Sequence, residues 1–423
     1  MDAGGPADPL ASIDPRLCVA CKAARGLCGI DPCPLLRRVQ HHLPASQKVG
    51  RDVAGSSPPS LFVGRYGYPK VNVGPMLPPD HRAADAADLL DAPRRWLDLS
   101  IPDVVGLRSS LIRTTHAVKV DQGARDPDRI TRLSQELAVA ARPVDTEVQL
   151  TKAPSFDTSH VGEFTAPHGP TVGVERAVAT ENVRVERPVE RVTGDTDLRA
   201  SEGAWELYRG GTDRYQLERI LSAGMLGLGA RRRLVPTRWA ITASDDTIGK
   251  QLAQQVQDLP TIDKPTVHTG GAFGNHFQIL LLPRIWSYEF QEVWLKGAFW
   301  AAGAAEPIAA ADHEDHRGRT GYARATAGAY YATRLSVLEH LVAAGRQATA
   351  IVLREVTDDY TTPLGVWVVR EAARLSLESR GLPFETTDDA LRHMDRHARY
   401  KGWQAHMELL RRLRTQPSLD RWA

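Results

Sequence analysis

The alternation of apolar and polar positions along the chain changes period several times, and each change predicts a different element. Residues 61–63 and 70–73 are β-rich runs flanking Gly64-Arg65-Tyr66-Gly67-Tyr68-Pro69, where glycine and proline predict strand, tight loop, strand. Residues 86–113 carry helical spacing with breaks. Asp126-Pro127 predicts a helix start, with Ile130, Leu133 and Leu137 on one face and Arg142-Pro143 ending it. Over 147–192 apolar residues recur at every second position, as at Val183 and Val185, which predicts short antiparallel strands. Residues 213–228 return to helical spacing through Leu217, Ile220 and Met225.

Farther along, 239–242 reads as a short buried strand leading to a helix capped by Ser244 or Asp245. Residues 279–282 form a fully apolar strand, and Glu289 and Glu292, between Trp286 and Trp294, suit a strand with one polar face. The alanine-rich, then polar stretch 301–316 predicts a domain boundary or exposed loop. Beyond it lie a helix over 322–345, a buried strand over 350–356, a partner strand over 365–369 and a helix from Arg370. A last long helix follows over 391–413, capped by Thr387-Asp388. This order predicts an α+β fold of mixed helices and mostly antiparallel sheets, with a small N-terminal zinc knuckle.

Composition narrows the class. At 423 residues the chain is long enough for two or three domains, and 42% apolar with 25% charged residues is ordinary for a globular protein. A net charge of +2 gives no global field to draw it onto nucleic acid, so a nucleic-acid site must be a local patch. No run of about 18 apolar residues is present to span a membrane, and the first residues lack the pattern of an export signal. The expectation is a cytoplasmic, nucleoid-associated protein with no membrane partner.

The four cysteines fall together, as Cys18, Cys21, Cys28 and Cys33 in CVACKAARGLCGIDPC. Two close pairs joined by a glycine-bearing loop can set four thiolates at the corners of a tetrahedron, the arrangement Zn2+ favours. A disulfide framework is a poor alternative, since no other cysteine follows. The short helix expected over 34–42 packs this knuckle on the body. The knuckle's loops carry only Lys22 and Arg25 as cations and no long recognition helix follows at once, so the knuckle is expected to brace the N-terminal domain, with any DNA contact shared by Arg25, Arg37 and Arg38.

Three further groups of side chains carry candidate chemistry. Arg65, Tyr66, Tyr68 and Lys70 project near the glycine loop, and with Arg238 they can hold phosphate and stack bases; the alternative is a structural hairpin. Asp245, Asp246, His276, Glu289 and Glu292, with the loop His313-Glu314-Asp315-His316, supply carboxylates and histidines able to hold a divalent metal for phosphodiester cleavage. No nuclease, kinase or hydrolase spacing accompanies them, and helix capping or solvation accounts for several. Finally, Gln416, Leu419 and Trp422 are spaced Q-x-x-L-x-x-W, so that one helical turn puts Leu419 and Trp422 on one face. That segment resembles the PIP box by which repair proteins dock on the PCNA sliding clamp, departing from it at Ala423, where a second aromatic is common.

Taken in order, RGLCG, GSSPPSLFVGRYGYPKVNVGP, RSSLIR, LVPTRWAITASDD, GNHF, YTTPLGVWVVRE and QPSLDRW resemble the archaeal Nre family of DNA repair proteins. The resemblance implies a flexible tail over 1–14, the zinc-binding knuckle over 15–42 and an Nre N-terminal domain over 43–300. An Nre C-terminal α/β domain over 301–414 and the clamp-binding tail over 415–423 complete the chain. It further implies a DNA repair factor tethered to PCNA and binding DNA. The alternative is an enzyme acting on nucleic acid or a nucleotide at a pocket near Asp245 and His276.

Overall fold

The computed structural model describes residues 9–39, 49–80, 84–156 and 160–415. The fold is α+β and holds two six-stranded sheets. Contacts gather the described residues into two compact units, one of residues 1–39 with 249–423 and one of residues 40–248.

The unit of 40–248 is built on β1 (Asp52–Ser57), β2 (Leu61–Val63), β3 (Lys70–Leu77), β4 (Ile112–Lys119), β5 (Val144–Leu150) and β6 (Thr171–Ala179). Their order is β1-β5-β6-β4-β3-β2, and the neighbours are antiparallel except β4 and β6. In β5 the inner Val144, Thr146, Val148 and Leu150 are buried and the residues between them exposed, the alternation of a sheet covered on one face. The helix Arg129–Val139 supplies that cover, seating Ile130, Leu133 and Leu137 against Val148, Leu150 and Val172. Its cap is Asp128 rather than Asp126: the Asp128 carboxylate accepts the Ile130 and Thr131 amides at 3.0 and 2.9 Å. Asp126 is already engaged as the C-cap of the preceding helix, Val120–Arg125. The alternating pattern expected up to 192 stops earlier, because Val189 and Val192 are buried on one face of the helix Arg187–Gly194.

The other unit holds β7 (Thr266–Ala272), β8 (Asn275–Leu282), β9 (Ser287–Trp294), β10 (Ile308–Glu314), β11 (Thr349–Val356) and β12 (Leu382–Pro383). They are ordered β10-β9-β11-β8-β7-β12, and only β9 and β11 run parallel. Helices Gly328–Ala344 and Val366–Glu378 pack on each other and on this sheet, while Leu391, Met394, Trp403 and Leu410 join Leu280, Leu282, Ile351 and Leu353 in one core cluster. Cover on both faces is why β11 and the Phe277–Leu282 part of β8 are buried without alternation, polar Gln278, Arg354 and Glu355 included.

Three expectations change here. Residues 365–369 open a helix, since Gly365 at φ 99° turns the chain and the Trp367 indole N–H donates to the Leu364 carbonyl at 2.6 Å. Residues 239–242 are likewise helical, within Thr237–Gln257; a short apolar run suits a buried helix as well as a strand. Residues 308–314, within the expected exposed loop, form β10.

The greatest departure concerns β9. All eight of its residues are buried, so Glu289 and Glu292 point into protein rather than water. The Glu292 carboxylate meets Lys22 Nζ at 2.5 Å and Arg354 Nη1 at 2.8 Å. Arg354 donates onward from Nε and Nη2 to Asn275 Oδ1 at 3.0 and 2.6 Å. Both cations also lie over the Trp294 ring, at 5.1 and 5.3 Å. Lys22 is the left-handed residue that ends the helix Pro15–Cys21, so the network ties the cysteine stretch to the second sheet.

Replacing Glu292 by alanine leaves two buried cations without their anion. The expected loss is about 3–5 kcal/mol in urea unfolding of the full chain. Lys22→Met, which leaves the Arg354–Glu292 pair intact, is expected to cost less.

Candidate functional site

The turn from β2 to β3 carries the cation and aromatic groups seen in the sequence. Gly67, at φ 81°, makes the turn possible, since a Cβ there would meet the Lys70 carbonyl oxygen at 2.8 Å. Tyr66 is 78% exposed, with the Arg65 guanidinium 4.5 Å from its ring centre and Nη2 donating to its hydroxyl at 2.9 Å. Lys70 is exposed. The Tyr68 ring lies 5.3 Å from Trp239, both rings nearly half exposed. Trp239 is held there because the Val63 amide donates to Thr237 Oγ1 at 2.9 Å, pinning the start of the helix Thr237–Gln257 to β2. Arg238, next to Trp239, stacks its guanidinium 3.5 Å above Phe164.

Arg65, Tyr66, Tyr68 and Lys70 therefore share one turn, and Arg238 flanks the tryptophan that meets it. Trp239 and Phe164 belong to this surface but escaped the sequence reading. Trp239 was assigned to a buried strand, although Pro236-Thr237 is a recognisable helix start. Exposed aromatic faces beside cations offer stacking to bases and charge to phosphates.

The candidate catalytic carboxylates have structural partners. Asp245, fully buried, accepts Arg214 Nε and Nη2 at 2.9 and 2.5 Å. Asp246 follows it on the same helix, partly buried. On β9, Glu289 accepts the Leu409 and Leu410 amides at 3.1 and 2.9 Å, capping the helix Glu408–Thr415. Burial pushes its carboxyl up, and those amides hold it back. His276, on β8, has a buried Nε2 with no hydrogen-bond partner among the described residues, and its pKa is lowered by burial and then by Arg399. In the His313–His316 stretch, Glu314 is buried against Arg334 Nε at 2.7 Å, and Asp315 accepts the Arg317 amide at 2.9 Å. Asp245 and Asp246 lie in the unit of 40–248, and His276, Glu289 and Glu292 in the other.

The four cysteines are free thiols lining one cavity with Leu35 and Trp300. Burial, then the neighbouring Cys33, Cys28 and Cys21, pushes the Cys18 thiol up to about 11. Burial also raises Cys21, but the amides of Leu27, Arg25, Ala24 and Gly26 outweigh it, leaving that thiol lowered. Cys33 is raised by burial, against the amides of Leu36 and Leu35. Among the described residues no group of three or more His, Cys, Asp or Glu is arranged to hold a metal ion as it stands. By chemistry the donors nevertheless suit Zn2+: four sulfurs share a cavity, amides face two of them, and a cation would relieve their mutual repulsion. Arg25 is engaged nearby, donating to the Arg324 carbonyl at 2.9 Å. Gln416, Leu419 and Trp422 lie outside the described residues.

Comparison with known proteins gives a consistent likeness. The family model described as "Archaeal Nre, N-terminal" matches residues 27–301, and "Archaeal Nre, C-terminal" matches 314–422. A protein of Haloferax volcanii named DNA repair protein NreA is 41% identical over 81% of this chain and 82% of its own. In Archaeoglobus fulgidus, DNA repair protein NreB is 37% identical over 90% of this chain and 93% of its own, and DNA repair protein NreA 36% over 92% and 95%. No solved structure matches the chain.

Asp245→Ala strips Arg214 of its buried carboxylate partner, for an expected loss of about 3–5 kcal/mol. Glu289→Ala leaves two helix amides without an acceptor, for about 1–3 kcal/mol. Both losses are expected in chemical denaturation.

Proposed function

This chain belongs to the archaeal Nre family, and from that premise we propose that it is a DNA repair protein that binds DNA through the turn at residues 64–70. The observation that carries the DNA contact is the exposed Tyr66, beside Arg65, with the Tyr68–Trp239 pair next to it. Exposed rings gathered in one patch beside cations offer a stacking surface, and a base is flat, aromatic and joined to a phosphate that Arg65, Lys70 or Arg238 can meet. With a net charge of +2, such binding is local and salt-sensitive.

The tail residues Gln416, Leu419 and Trp422 supply a second contact, to the PCNA sliding clamp. A short helical turn would place Leu419 and Trp422 in the clamp's apolar pocket. Clamp tethering raises the local DNA concentration, so a modest affinity at the turn is enough.

Zn2+ is the third component. Cys18, Cys21, Cys28 and Cys33 would hold it, and it would supply cross-linking of a segment too short to build a core of its own. Lys22, inside that segment, joins Glu292, so metal binding and docking on the second sheet reinforce one another. An enzymatic reading at a pocket near Asp245 and His276 has little support, because Asp245, like the candidate Glu289, already serves a buried partner.

Each component has its own test. Tyr66→Ala and Trp239→Ala are each expected to weaken binding of an oligodeoxynucleotide by about 1–3 kcal/mol in a fluorescence titration; unchanged affinity would sink the DNA contact. Removing residues 416–423 should abolish clamp binding in pull-down and calorimetry, while Ala423→Phe should tighten it about tenfold. Elemental analysis of the purified chain should find one zinc per molecule, absent after Cys18→Ser with Cys28→Ser. Chelation should then lower the unfolding temperature of the unit containing β7–β12.

A further inference from the structure

We propose that Arg113, beneath the β2–β3 turn, holds a phosphate group, and that in this chain the phosphate is that of an unpaired nucleic-acid strand. Arg113 is the second residue of β4, opposite Met76 of β3 and Thr171 of β6. Its guanidinium lies 3.7 Å from the centre of the Phe62 ring. Nη2 sits below the first residue of the turn, for a Cβ on Gly64 would stand 3.2 Å from it. The residue is partly buried rather than enclosed.

Other arginines buried in this protein have anionic or carbonyl partners. Arg108 donates to the Pro167 and Leu90 carbonyls and to Asp91, at 2.9, 2.7 and 2.8 Å. Arg214 meets Asp245, Arg334 meets Glu314 and Arg354 meets Glu292. Arg113 differs: among the described residues its guanidinium has no ion pair or hydrogen bond, and its buried Nε has no partner. Burial lowers its pKa to about 10 with no carboxylate to offset it, and it remains charged at neutral pH.

Among the described residues the groups stacked beside it are imidazoles. His160 and His168 stack at 4.7 Å, and His168 lies edge-on to Phe62 at 5.5 Å. Nδ1 of His168 donates to the Gly169 carbonyl at 2.8 Å, and burial followed by the Arg113 charge keeps the ring neutral. A planar cationic fork with free N–H groups and no counter-ion fits an oxyanion with two oxygens on one edge. Tyr66 begins two residues beyond Gly64, so a strand with its phosphate on Arg113 would bring bases within reach of the exposed rings. That source rests on the nucleic-acid reading of the turn; the anion site does not.

The test uses the full chain, Arg113→Met, which keeps an apolar stem on Phe62, and Arg113→Lys, which keeps only the charge. Inorganic phosphate, titrated against chloride at equal ionic strength, should raise the unfolding temperature saturably in the native chain but not in Arg113→Met. A labelled oligodeoxythymidine should bind Arg113→Met about tenfold more weakly, with a log–log salt slope smaller by about 0.7. Arg113→Lys should retain the slope and lose part of the affinity. If phosphate acts on Arg113 but the native chain binds no oligonucleotide, the anion site stands and free phosphate or a nucleotide is its source. If Tyr66→Ala loses the oligonucleotide while Arg113→Met matches the native chain in both assays, the site is refuted and the DNA contact survives. Should Arg113→Met fail to fold, Gly64→Ala crowds Nη2 without removing charge, and the same two readouts decide.

Discussion

A buried carboxylate, Glu292, holds together parts of the chain that are far apart in sequence. It sits on the fully buried β9 of a sheet covered on both faces, where an unpaired charge would be prohibitively costly. Lys22 pairs with one of its oxygens and Arg354 with the other, and Asn275 accepts from Nε and Nη2 of Arg354. The network does more than satisfy polar groups. Lys22 comes from the middle of the cysteine stretch, so a segment with few apolar residues acquires a fixed place against β9 and the Phe299–Ala301 turn.

The same constraint decides which polar groups remain for function. Around the second sheet, Glu289 caps a helix and Glu314 neutralises an arginine, because each was carried inward with its strand. In the other unit, Asp245 does the same for Arg214. What is left open among the described residues is the turn at 64–70, with the exposed Tyr66 and half-exposed Tyr68 beside cations, and Arg113 below it, which meets no anion among those residues. The proposed contacts therefore lie where the polar accounting of the fold is incomplete.

Both outcomes were partly visible in residue order. The hairpin at 61–73 was legible because Gly67 and Pro69 mark a tight turn between short β-rich runs, and the strands at 279–282 and 350–356 because uninterrupted apolar runs of that length suit a doubly covered sheet. Residues 239–242 and 365–369 were misread for a related reason: an apolar run of four or five residues has no period long enough to separate strand from buried helix. Glu289 and Glu292 looked like a wet face, since local alternation cannot reveal a cation arriving from residue 22 or 354.

By itself, then, the sequence determined the α+β class, the clustering of the four cysteines, the exposed cation–aromatic turn and the family, all properties of local composition and order. Only the tertiary structure decided that Glu289, Glu292 and Asp245 are internal supports, that Trp239 completes the turn's surface, and that Arg113 meets no counter-ion among the described residues. The reason is physical. Whether a charge is a ligand or a brace depends on which groups meet it in space, and those partners lie tens to hundreds of residues away.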